Sequence, residues 1–339
     1  MLFLYLFLTC APLLAHALAS LPPRTSPPPN ALVVRVNTTD SSEFGSLIDA
    51  VAALPTDESS QIVFVFPGIY QGQVNIQRSG PVTVQGYTTN PSSVSENTVT
   101  LVDSIPASAV GGSNDLSGTL RIHTDNVSLY NLDIRNDFGV GSQAIALSNY
   151  GDQVGVYACG LFGYQDTLLS NQGRQVYLGG WIEGAVDFIF GRLGQAYFES
   201  NTIAVKGPGS ITASGREADN AQIYIFNENQ VVLAPDANMT KPVVAFLGRP
   251  WGDFARVIFK STYVTATLNP GIWSIWDPGD NRTDNVFMAD WNTTGPGVPA
   301  DATRLDWVTI LDATEAAAFN ISTAVGDDFA NWVDMEFLL

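Results

Sequence analysis

From about residue 61 to about residue 265 one pattern repeats along the chain. Short β-branched or aromatic runs alternate with Gly, Asn, Asp and Ser, as in VTVQGY, TVTLVD, TLRIHTDNVSLYNLDIRN, QVYLGGWIEG and IYIFNENQVVL. Within the runs apolar residues alternate with polar ones or stand unbroken, as in strands buried on one or both faces. No helical period intervenes, which disfavours an α/β crossover fold. NVSLYNLDIRN, QVGVYACGLFG, RQVYLGGWIEG and GQAYFESNTIAV follow one another at roughly 20–25 residues, the period of a solenoid whose coils bury their apolar sides against their neighbours. An all-β, right-handed parallel β-helix fits that period. A jelly roll or a propeller also fits the strand pattern. Ahead of the repeats, Ser41–Pro55 predicts a short amphipathic helix, with Phe44, Leu47, Ile48, Val51 and Leu54 at helical spacing. From Asn269 onward the tail is irregular, with a short helix expected around AAAFNI that could cover an end or a face of the coils.

Composition sets the compartment. The chain has 339 residues, 45% of them hydrophobic, enough to bury a sizeable core. Residues 1–19 carry no acid or base and end in small residues, which predicts a secretory signal; a membrane anchor is the alternative. Residues 20–31, beginning SLPPRTSPPPN, read as a Pro-rich linker outside the fold, leaving 32–339 as one domain. No later segment approaches the length of a membrane span. Sequons at Asn37, Asn126, Asn238, Asn281, Asn292 and Asn320 point to a glycosylated extracellular protein. The formal charge of −18 argues against a nucleic-acid partner. It would also repel an anionic polymer and favour that polymer's esterified, neutral form. A monomer is expected.

The histidines and cysteines restrict the chemistry. With the signal removed, His123 is the only histidine and Cys159 the only cysteine. Cys159 reads as a small core residue, and His123 lies in a strand-like run with no nucleophile motif nearby. No G-x-S-x-G elbow occurs, and a zinc site built on His and Cys is disfavoured, so neither a metal nor a cofactor is expected. Two acids, Asp166 and Asp187, stand 21 positions apart, and two amides, Gln143 and Gln165, stand 22 apart. If the repeat is one coil, these groups stack at the strand spacing of about 4.8 Å. Like charges that close raise one pKa and leave the other group ionised, giving an acid beside a base or nucleophile. Neighbouring amides can donate to a developing oxyanion. On spacing alone, both aspartates could equally end strands or turns.

Motifs in a fixed order add to this. FGSLIDAVAALP is followed by Gly68-Ile69-Tyr70, Gln143-Ala144, GYQDTL at Gly163–Leu168, DFIFG at Asp187–Gly191 and ITASGR at Ile211–Arg216. LGRPW at Leu247–Trp251, NTTGPG and RLDW complete the set. The chain thereby resembles the pectin methylesterases over nearly its whole mature length. That resemblance implies a right-handed parallel β-helix that demethylates methyl-esterified pectin in the cell wall. It also implies roles: Asp187 as nucleophile, Asp166 as acid and then base, Gln143 and Gln165 as oxyanion donors, and Arg249 as the partner that keeps Asp187 ionised. Trp251 would offer a flat face to a sugar ring, and Phe190 would shape the cleft. The same residues have plainer readings, Arg249-Pro250 as a rigid turn and Trp251 or Phe190 as core. Trp273 and Trp276 are taken as structural.

The chain departs from the family pattern in three places. Gln71-Gly72 stands where a Glu is common, Leu169 where a Tyr is common, and Arg192-Leu193 where Asn-Ala is common. Arg192, a cation beside the proposed site, could bind a free galacturonate carboxylate, and Arg192→Ala should then change the preference between highly and sparsely esterified pectin. Two other functions remain open: cleavage of the polygalacturonan backbone on the same fold, or a non-catalytic wall-binding solenoid.

Overall fold

The computed structural model describes residues 21–339. The expected signal segment lies outside the described residues. Within them the chain winds into a right-handed parallel β-helix of three sheets with twelve, eight and seven strands. Every strand pairs in parallel with the strand one coil away. In the middle of the solenoid the register steps by 21 residues: Leu147 faces Leu168, and Leu168 faces Ile189. The coil length read from the sequence is therefore real there, and it lengthens elsewhere where loops are inserted.

Two devices hold the coils in register. Aromatic rings stack through the core under the twelve-stranded sheet, with Tyr177, Phe198, Phe226 and Phe259 at centroid separations of 4.7, 4.3 and 4.1 Å. At the bend after this sheet, one residue per coil takes a left-handed conformation, including Asn131, Ala158, Ser200, Glu228 and Ser261. Buried asparagines beside that bend satisfy its backbone. Asn201 Oδ1 accepts from the Gly180 amide at 2.8 Å, and Asn229 Oδ1 accepts from the Asn201 amide at 2.8 Å. The polar punctuation in the sequence is thus a ladder of side chains that replaces backbone hydrogen bonds lost at each corner.

Both chain ends depart from expectation. The N-terminal helix covers only Leu47–Ala52, capped by Ser46, because Glu43–Phe44 pairs as a strand with Leu32–Val34 and takes Phe44 out of the helix. The Pro-rich segment is not a free linker. Arg24 bridges to Thr88, donates to Asn131 Oδ1 at 2.6 Å and lies over the Tyr130 ring at 4.4 Å. The proline run fits this path because extended backbone suffices to follow a surface. The tail adds two strands, Phe287–Trp291 and Val308–Ile310, to the twelve-stranded sheet. It ends in two short helices, Ala313–Ala318 and Ile321–Val325, not one. Asn320 separates them and caps the second by accepting from the Thr323 amide. These helices pack on a cluster that includes Tyr157, Tyr197, Ile223 and Ile225, so they cover the twelve-stranded sheet and not the seven-stranded one. Cys159 is buried in the core and Trp273 is 1% exposed. Tyr70 is buried with its hydroxyl donating to the Phe66 carbonyl at 2.8 Å, and at Gly72, where the glutamate is missing, a Cβ would meet Ile48 Cδ1 at 2.7 Å.

Candidate active site

The seven-stranded sheet carries the candidate residues on its outer face and at the corner where the chain enters it. Asp166 lies two residues before Leu168 and Asp187 two before Ile189, so the register places them at equivalent positions on adjacent coils. Both take left-handed backbone, φ 64° and 50°. Asparagine and aspartate tolerate this conformation better than most residues, so acids at a corner cost little in strain. Backbone hydrogen bonds fix the stack: the Asp166 amide donates to the Val186 carbonyl at 3.0 Å and the Asp187 amide to the Ser210 carbonyl at 2.7 Å. One coil back, the Ala144 amide donates to the Gln165 carbonyl at 3.1 Å, which brings Gln143 beside Gln165.

The next turns supply Arg249. Phe190 faces Ala213, and Ala213 faces Arg249, in one outward row. Arg249 grips Asp187 with both edges of its fork, Nε to Oδ1 at 2.9 Å and Nη2 to Oδ2 at 2.7 Å. Its remaining Nη1 donates to the Trp276 carbonyl at 2.9 Å, and the guanidinium lies 4.2 Å from the centroid of the Trp276 ring. Gln143, Gln165, Asp166, Asp187, Phe190, Arg249, Trp251 and Trp276 all line one cavity of about 250 Å³, joined by Asn114 and Ala213. Phe190 lines it while packing against Ile145 and Leu169 outside it, and its ring lies 6.1 Å from that of Trp251. Arg192 is outside the cavity wall, stacked on Trp251.

Electrostatics divide the two acids. Burial pushes the Asp166 carboxyl well above the usual carboxylate range, and the charge on Asp187 pushes it further. Burial also raises Asp187, but the Arg249 fork pulls it back down. Asp166 therefore holds its proton at a pH where Asp187 has lost its own. The arrangement supplies a buried acid, an ionised carboxylate oriented by arginine, and two side-chain amides around one space, the parts needed for acyl transfer through a carboxylate nucleophile.

The histidine route is closed by geometry. Ser148, Asp115 and His123 do meet on the same outer face, with Ser148 Oγ 2.8 Å and His123 Nε2 3.1 Å from Asp115 Oδ1. The carboxylate sits between hydroxyl and imidazole, so the imidazole does not face the hydroxyl it would have to deprotonate. Cys159 is equally unsuited, since burial pushes its thiol up to about 12. The sequence reading missed Trp276, taken as structural, and Asn114. Neither falls in the repeat, and both reach the cavity from loops whose paths no periodicity specifies.

A β-helix that sets one arginine-held carboxylate beside a second, buried one defines a class of carboxylate-centred site that does without the histidine triad. The family model for pectinesterase matches residues 33–328, and the chain belongs to the pectinesterase family, whose members are carboxylic-ester hydrolases. The pectinesterase of Aspergillus aculeatus is 36% identical over 319 residues, 93% of this chain and 94% of that protein. The crystal structure of the pectin methylesterase from Aspergillus niger in deglycosylated form superposes with TM-score 0.83 at 34% identity, covering 92% of this chain and 99% of that one. Pectin methylesterase from carrot shares the fold, with TM-score 0.79 at 22% identity over 93% of this chain and 98% of that one.

Proposed function

We propose that the protein hydrolyses the methyl esters of pectin, releasing methanol and leaving free galacturonate carboxylates on an intact polymer. The observation that carries this reading is the Arg249 fork on Asp187 beside a stacked, proton-holding Asp166. Asp187 attacks the ester carbonyl carbon. The carbonyl oxygen gains negative charge and accepts hydrogen bonds from the side-chain amides of Gln143 and Gln165. As the tetrahedral centre collapses, Asp166 gives its proton to the departing methoxide, which leaves as methanol. Asp166, now a carboxylate, takes a proton from water. The resulting hydroxide attacks the acyl–Asp187 bond, and the free acid and ionised Asp187 separate. Trp251 and Trp276 form walls for sugar rings, with Phe190 beneath. Because burial raises Asp187, activity has an acidic limb on which this group becomes protonated and cannot attack.

The protein is proposed to act as a secreted, glycosylated monomer on the cell wall. All six sequon asparagines, Asn37, Asn126, Asn238, Asn281, Asn292 and Asn320, are exposed, which supports glycosylation. The Aspergillus niger relative was itself crystallised after deglycosylation. The decisive experiment incubates the protein and Asp187→Ala with highly methylated pectin and measures methanol and reducing ends together. Methanol without new reducing ends is expected, and the variant should lose about 10³-fold or more in kcat. Equal methanol from both proteins, or new chain ends, would overturn the assignment.

A further inference from the structure

Arg192 follows the strand Ile189–Gly191 and lies behind the aromatic wall of the cavity. Its guanidinium rests over the Trp251 ring, 3.9 Å from the centroid. The backbone is shaped for this stack: a Cβ on Gly215 would collide with the Trp251 ring and crowd Arg192 Cγ at 3.0 Å. A planar guanidinium held against an aromatic face keeps its orientation and presents its donor edges outward. One of those edges is paired with Glu217, through Nη1 only. Nε and Nη2 of Arg192 make no protein hydrogen bond among the described residues. The two side chains are 42% and 68% exposed, so the pair sits in high dielectric and holds weakly. Arg282, the other cation on this rim, differs. It is held by Asp280 through both Nε and Nη2, at 3.0 and 2.8 Å, and donates to the Trp251 carbonyl. Arg192 is therefore the rim cation free to change partner.

We infer that Arg192 is a specificity-determining residue that binds a free galacturonate carboxylate of the polymer, near the ester being hydrolysed, in exchange for Glu217. The inference rests on the ester-hydrolase reading above. Exchanging one carboxylate for another conserves charge at the rim, and the substrate's carboxylate can take both free edges of the fork where Glu217 takes one. The exchange also offsets locally the protein's net charge of −18, which repels de-esterified chain overall. Fully esterified pectin leaves the Arg192–Glu217 pair closed, while partly esterified pectin opens it.

The test measures kcat/KM for methanol release on fully esterified and half-esterified galacturonan, and reads the ratio of the second to the first. Arg192→Gln should lower that ratio about fivefold, the scale of one exposed charge pair, and Glu217→Gln should raise it by removing the internal competitor. If Arg192 only props Trp251, Arg192→Gln lowers both substrates in parallel and Glu217→Gln changes nothing; that result would overturn the inference. Affinity for an unesterified galacturonate oligomer, read by calorimetry without turnover, should fall in Arg192→Gln. That binding measurement separates failure of the inference from failure of the hydrolase reading, because it requires no methanol release.

Discussion

As the proposed acid, Asp166 depends on being uncomfortable. Its carboxyl is buried beside another acid, so its native pKa lies well above the ordinary 3.8. Between those two values the folded protein holds a proton that the unfolded chain releases, and stability falls as pH climbs through the window. The function thus carries a folding cost that is present at neutral pH and absent in strong acid. Asp166→Asn keeps the shape and removes the charge. It should abolish methanol release yet melt at a higher temperature than the unmodified protein at pH 7, with the difference closing toward about pH 4. A lower Tm for the variant at pH 7 would show that the carboxylate is satisfied in a way the geometry does not contain. Asp187 escapes part of this cost because Arg249 supplies the opposite charge at two contact points.

A single coil has no core, and its strands become stable only when neighbouring coils bury their faces. The ring ladder beneath the twelve-stranded sheet shows how closely that burial is fitted, since Phe226 lies 4.3 Å from Phe198 and 4.1 Å from Phe259, nearly parallel to both. Phe226→Ala would leave a hole bounded by rings that cannot close in, and should cost about 3–5 kcal/mol in chemical denaturation. A cost below about 1 kcal/mol would mean that the ladder relaxes as a liquid would. The strand elements also explain why the catalytic pair is precise. The backbone pairing that stacks Leu168 on Ile189 fixes Asp166 and Asp187 with the same register. A slip of one residue between these coils would take the two acids out of line with each other.

At the scale of the molecule the three sheets divide the labour. The twelve-stranded sheet is sealed by the C-terminal helices and the eight-stranded sheet adjoins the corner of the site, while the outer face of the seven-stranded sheet carries the cavity. This separation predicts that stability can be damaged without damaging the site. Ala324, fully buried on the helix Ile321–Val325, packs against the sealed sheet. Ala324→Asp would bury an unpaired charge and should destabilise by about 3–5 kcal/mol. Its kcat for methanol release at 25 °C should stay within about twofold of the unmodified protein for the fraction that is folded. A large loss of kcat with an unchanged Tm would contradict the division.

The sequence by itself determined the coil and set the candidate acids and amides at one interval along it. Period and side-chain alternation are local properties of strands, so a parallel solenoid was legible, and acids and amides recurring at the coil interval pointed to a stacked site. Elimination narrowed the choice without closing it, because a histidine-based esterase centre would have to rest on His123 alone, and only the geometry around Ser148 and Asp115 decided against it. Only the tertiary structure decided how far the coils extend into the tail, where the Pro-rich segment lies, and which tryptophan faces the cavity. Trp276, Asn114 and the pairing of Arg192 with Glu217 all depend on loops between coils. A loop's path is set by what it packs against, not by any repeat in its own residues.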